Sequence, residues 1–91
     1  MHIQTLTETR YDQICENLEK CADKRKDGTY HVKLRINNFI YTVEVKPVSR
    51  YKIVVTQAYQ QYLNTNELPV SISDHNLHAA LLEIILQEGV L

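Results

Sequence analysis

Few side chains in this sequence have the means to do chemistry: four histidines, two cysteines and an unevenly spread set of charges. His75 and His78 are three apart, a spacing that sets both on one helix face within reach of a shared ion, with Asp74 beside them. Two imidazoles with no fixed third ligand read more simply as surface or capping groups, so no metal and no other cofactor is expected. His2 adds nothing readable. Cys15 and Cys21 fall in one expected helix, about 9 Å apart along its axis, which is too far for a disulfide without unwinding. Both are read as reduced thiols used for packing, because zinc asks for more ligands at close spacing and a redox pair asks for CxxC. There is no phosphate-cradling glycine loop, no nucleophile elbow and no carboxylate pair set opposite a base. The expectation is a protein that is not an enzyme.

The charges say more. Net charge is −1, yet residues 24–52 hold eight of the ten cations against Asp27 and Glu44, while the rest of the chain holds Arg10 and Lys20 against nine acids. Such asymmetry bears on partners rather than on fold.

These residues need elements to position them. Tyr11, Ile14, Cys15, Leu18 and Ala22 repeat at helical spacing, so residues 7–22 are predicted to form a helix capped by Thr7. Lys24 to Gly28 breaks that pattern, with Asp27-Gly28 as a turn. From Tyr30 the period becomes two, and Asn37-Asn38 reads as a two-residue hairpin turn. That register pairs Ile36 with Phe39, Leu34 with Tyr41, Val32 with Val43 and Tyr30 with Val45, apolar opposite apolar throughout. Pro47 is expected to end the second strand, having no N–H for the ladder. Residues 50–57 alternate again as a third strand. Residues 58–72 are ambiguous: "AYQQYL" fits a prolonged strand or a helical turn, and "LPVSI" fits a short edge strand. A last helix is predicted from Ser73 or Asp74 to Gln87, with Gly89 just past its end. The fold class is α+β in the order α-β-β-β-α, a three-stranded antiparallel sheet with both helices packed on one face, all in one domain spanning residues 1–91.

On that fold the sheet face away from the helices carries Lys33, Arg35, Lys46, Arg50 and Lys52, with His31, Ile40, Thr42, Glu44, Val54 and Thr56 among them. Two readings stand. The face is solvated, its lysines discouraging edge-to-edge aggregation, or it binds an acidic protein or nucleic acid. No flat aromatic is expected there, which disfavours stacking of single-stranded bases.

The last helix has a feature of its own. In "AALLEIIL", Ala79 to Leu86, only Glu83 is charged, whereas a helix lying on one sheet needs an apolar stripe rather than a nearly complete cylinder. Either the first helix and residues 58–72 cover its other flank or a second subunit does; in so short a chain the second is favoured, a homodimer in which Leu82, Ile85 and Leu86 make the self-association contact.

The order of elements resembles that of double-stranded RNA-binding domains. Those domains carry a Gly-Pro-rich loop between the first two strands and a lysine cluster opening the second helix. Here the corresponding stretches are Asn37-Asn38 and "SDHNLH", and the first helix is acidic, so duplex RNA binding is not expected. "DGTYHV", Asp27 to Val32, and "LLEIILQEGVL" resemble the toxin half of HicA-type toxin–antitoxin pairs, over less than a fifth of the chain. That resemblance implies a small ribonuclease with His31 as its general acid or base. Residues 47–76 are far longer than the family's connection, and a surface histidine opposite Glu44 is the simpler account.

No apolar run suffices to cross a bilayer, and "MHIQTLTETR" lacks the order of a signal peptide, so a cytoplasmic protein is expected. Taken together, the residues predict an interaction or regulatory protein that self-associates and offers a basic sheet face to an acidic partner, with a nucleic-acid-binding regulator as the alternative.

Overall fold

Helix α1, Glu8–Cys21, begins where its chemistry says it should. Thr7 has extended backbone, and its hydroxyl accepts from the Arg10 amide at 3.2 Å. The helix buries Ile14 and Leu18 and turns Asp12, Glu16 and Glu19 to solvent. At its far end Ala22 is extended, and its N–H closes on the Leu18 carbonyl. In the computed structural model, which describes residues 1–88, two such helices pack on a six-stranded antiparallel sheet.

The strands are β1 His2–Thr5, β2 Asp23–Lys24, β3 Tyr30–Ile36, β4 Phe39–Val48, β5 Lys52–Tyr62 and β6 Val70–Ser71, and helix α2 is His75–Glu88. The sheet runs β1-β5-β4-β3-β2, with β6 also on β5. The class is therefore α+β, but the three expected strands are the middle of a wider sheet. β1 lies along Lys52–Val55 and β6 along Tyr59 and Gln60, so together they cover much of the outer edge of β5. β2 covers only the start of β3. All three added strands are too short for alternation to show.

The β3–β4 hairpin has the register its apolar residues require, from Tyr30 opposite Val45 to Ile36 opposite Phe39. Asn37 takes a positive φ of 54° in the turn, which asparagine tolerates better than most residues. Pro47 does not end β4, which runs on to Val48 with Pro47 opposite Ile53. Pairing with β3 has already stopped at Val45, so β4 is bonded on one side only there, a place where a missing donor is tolerated. Arg50 is not in β5: it sits with Tyr51 in the turn before it, both at positive φ. The Tyr11 hydroxyl donates to the Val48 carbonyl at 3.0 Å, and its ring meets Tyr51 edge-on at 5.6 Å, so α1 is tied to this turn.

One irregularity decides the faces. Val45 pairs with Val55 but Glu44 pairs with Gln57, so Thr56 is an extra residue on β5. Its hydroxyl lies 3.3 Å from the Glu44 carbonyl. An inserted residue exchanges the two faces of the strand beyond it. Ile53 and Val55 point to the helices before the bulge, and Ala58, with no exposure, does so after it.

Ile14 and Leu18 of α1 share one core with Leu81, Leu82, Ile85 and Leu86 of α2 and with valines of β3, β4 and β5. The Asp74 carboxylate accepts from the Asn76 amide at 2.8 Å and starts α2. Gly89, the expected stop signal, lies outside the described residues. Asn76, Ala80, Glu83 and Gln87 form the solvent stripe of α2. Leu82, Ile85 and Leu86, at 5 % exposure or less, are covered by the chain's own sheet and α1. They thus have no surface to offer a second copy in this fold. The apolar cylinder arises because a wide sheet and a second helix enclose most of α2, where a three-stranded sheet would have left a flank open. No helix among the described residues is long and apolar enough to cross a membrane.

Candidate binding face

All residues that the helices cover belong to one sheet face, and the other carries the charged and polar alternates of the same strands. Its residues fall into rows across the sheet. Asp23, His31, Glu44 and Gln57 make one, Lys33, Thr42, Tyr59 and Ser71 the next, and Arg35, Ile40 and Gln61 a third. On the other side of the bulge Lys46, Val54 and Ile3 share a row, then Val48, Lys52 and Thr5.

Of the five cations expected on this face, Lys33 and Arg35 are exposed on β3, while Lys46 and Lys52 are half-buried on β4 and β5. Arg50 is exposed but belongs to the turn at the end of the sheet. None of the five makes an ion pair among the described residues. The pairs made by other cations are Lys20 with Glu16 and Lys24 with Glu19, both involving α1, and Arg25 with Asp23 at the β2 border of this face. The stem of Lys46 runs beside the Asp27-Gly28 turn, where Gly28 has a φ of 89°. Hydrogen bonds from the Thr29 hydroxyl and amide hold Asp27 below the usual carboxylate range, with a smaller contribution from Lys46.

His31 meets Glu44 across the strands, Nε2 to Oε1 at 3.1 Å. The simpler account of this histidine thus has a definite partner, which also bonds weakly to Thr56. The stretch between Pro47 and Asn76, where the HicA resemblance departs, holds the end of β4, all of β5 and β6, and the start of α2. His75 and His78 do not converge on a common point. His78 is buried with Nε2 2.7 Å from the Ile72 carbonyl, while Nδ1 of His75 lies 2.8 Å from the Met1 carbonyl. No cluster of three or more His, Cys, Asp or Glu residues suited to a metal ion occurs among the described residues.

Both thiols are free. Cys15 is half-buried, and burial is the main cause that pushes its thiol up. Cys21 is exposed rather than packed, because α1 ends there and turns away.

Sequence reasoning missed Tyr59. Uninterrupted alternation from Val55 would turn it toward the helices, but the Thr56 bulge brings it onto the basic face. The expectation that this face lacks an aromatic is therefore wrong. With Thr42, Leu68 and Pro69, Tyr59 lines a shallow groove of about 400 Å³. A second groove of about 410 Å³, lined by Cys21, Asp23, Arg25, His31, Lys33 and Thr42, adjoins it. The two share Thr42, the groove toward β2 being charged and the one toward Pro69 apolar.

A second exposed surface lies on the helix side. Helices of 14 residues span about 21 Å, whereas the 11 residues of β5 extend about 36 Å. The hairpin end of the sheet therefore projects beyond them, bearing a cluster in which Phe39 lies 4.6 Å from Tyr62 and 6.0 Å from Tyr41, centroid to centroid. Val70 and Leu68 border it at 68 % and 84 % exposure.

In comparisons with known proteins the chain matches no family model, no curated protein and no solved structure.

Proposed function

We propose that this protein is a non-enzymatic interaction module whose basic sheet face takes an acidic partner. One observation carries the reading: Lys33, Arg35, Lys46 and Lys52 project from a face that no helix covers, and none has an ion-pair partner among the described residues. Elsewhere the chain does neutralise its charges, through α1 and β2 above all. A cation that makes no ion pair within the chain is free to meet an external acid, and complementary charge speeds encounter as well as adding contacts. Self-association through α2 is not part of this reading, since the side chains it would use are in the core.

A second reading, single-stranded nucleic acid on the same face, is favoured by Tyr59. A ring beside unpaired cations can stack a base while phosphates meet Lys33 and Arg35.

Backbone amide shifts followed by NMR test the proposal. Adding polyglutamate should move resonances of the open face of β3, β4 and β5 and leave the outward face of α1 unmoved. Shifts spread over the helices, or none at concentrations where charged surfaces interact, would remove its basis.

A further inference from the structure

β2 pairs with β3 only at Tyr30 and His31, so from Val32 to Ile36 β3 has β4 on one side and, among the described residues, no strand on the other. The direction of its free groups follows from one bond. The Arg25 amide donates to the Thr29 carbonyl at 2.8 Å, so Thr29 points outward. In an antiparallel strand every second residue turns its N–H and C=O the same way, which carries the outward direction to His31, Lys33 and Arg35. Lys33 and Arg35 therefore present unpaired backbone groups along an open edge. There is room beside them, because α1 turns off at Cys21 and the groove lined by Cys21, Arg25 and Lys33 opens where β2 stops.

The side chains on this stretch are sorted by face. Lys33 and Arg35 are exposed on the open side, while Leu34 and Ile36 are half-buried on the helix side at the margin of the core, opposite Tyr41 and Phe39. A second copy of the chain is a poor occupant. Antiparallel pairing about Leu34 would set Lys33 of each copy against Arg35 of the other, and like charges directly opposite repel. Charged residues on an edge act against self-pairing in this way. The same two cations suit a foreign strand with carboxylates opposite them.

We propose that the β3 edge accepts an extended segment of an acidic protein as an additional antiparallel strand. Acidic side chains of the segment face Lys33 and Arg35, and an apolar side chain between them lies against Leu34 and the Tyr41–Phe39 surface. This rests on the reading of the basic face as the site for an acidic partner and names the mode of attachment: backbone pairing supplies affinity and the alternating side chains supply selectivity.

The test uses the full chain and three probes: a capped peptide of about seven residues alternating valine and glutamate, the same peptide N-methylated at its glutamate amides, the ones that would face β3, so that this pairing is blocked, and an oligothymidylate of about eight nucleotides. The alternating peptide should slow amide exchange of Lys33 and Arg35 by about tenfold or more, and the methylated peptide should not. Lys33→Glu with Arg35→Glu should abolish the protection, and the milder Lys33→Gln with Arg35→Gln should weaken it, each in a protein shown to be folded by circular dichroism. Equal binding of both peptides would overturn edge pairing while leaving the basic face as the site. Binding of oligothymidylate alone would overturn the acidic-peptide assignment in favour of nucleic acid. Binding of none of the three would overturn this proposal and the reading beneath it together.

Discussion

Lys33 and Tyr59 stand on either side of Thr42, in one row across β3, β4 and β5. A free cation and an aromatic ring thus share the open face because the bulge at Thr56 turns Tyr59 onto it. The arrangement costs the fold little, because neither residue belongs to the core.

Charge reversal on that face should therefore be nearly silent for stability. Lys33→Glu combined with Arg35→Glu is expected to change the unfolding free energy by no more than about 0.5 kcal/mol per site. Urea midpoints of wild type and variant check it, and a loss of several kcal/mol would mean that the face is covered.

The bulge makes a sharper prediction. Ala58→Lys would bury an unpaired charge opposite Val43 and should cost about 3 kcal/mol or more. Gln57→Lys, one residue earlier and exposed, should cost about 0.5 kcal/mol at most. Uninterrupted alternation of β5 requires the reverse order, so the two denaturation curves decide between the registers.

Leu82, at 1 % exposure, should behave as a core residue and not as a subunit contact. Leu82→Ala is expected to lower stability by about 2–5 kcal/mol, and Glu83→Ala on the solvent stripe by less than about 0.5 kcal/mol. If Leu82→Ala instead split a dimer into stable monomers, as read by sedimentation, the placement of α2 against its own sheet would be wrong.

Glu19 ties α1 to β3 and β2, accepting from the Tyr30 hydroxyl and from Lys24. The Tyr30 bond first, and Lys24 second, hold its carboxyl below the ordinary value of 4.5. A carboxyl depressed in the folded state stabilises above its unfolded pKa, and that contribution disappears as pH falls through the folded value. Wild type should therefore lose more thermal stability than Glu19→Gln on acidification from about pH 5 to about pH 3. Parallel melting curves would count against the link. Since Glu19 is exposed, the difference should be small and should shrink in salt.

How much of this was legible in the residues depends on length of pattern. The β3–β4 register could be read because four apolar pairs agree at once, and α1 because its stripe and its Thr7 cap coincide. β1, β2 and β6 span four residues or fewer, so alternation had nothing to act on. Pro47 misled because a proline ends a strand only where its missing donor is needed. Tyr59 was lost to a single inserted residue. A hint did exist: pairing Phe39 with Tyr62 and also Val48 with Lys52 leaves β5 one residue longer than β4, which forces a bulge between them. The apolar excess of α2 was read as a surface for another chain because the chain is short, whereas its own sheet and α1 bury Leu82, Ile85 and Leu86.

The central claim is that the unpaired cations of the open face hold an acidic partner, and one titration tests it most directly. Fluorescence anisotropy of a labelled polyglutamate peptide would be followed against wild type and against the Lys33→Glu, Arg35→Glu protein, at low and at moderate salt. The account predicts that wild type binds, that added salt weakens the complex, and that charge reversal weakens it by about tenfold or more at low salt. Equal affinity of the two proteins, or binding indifferent to salt, would contradict it.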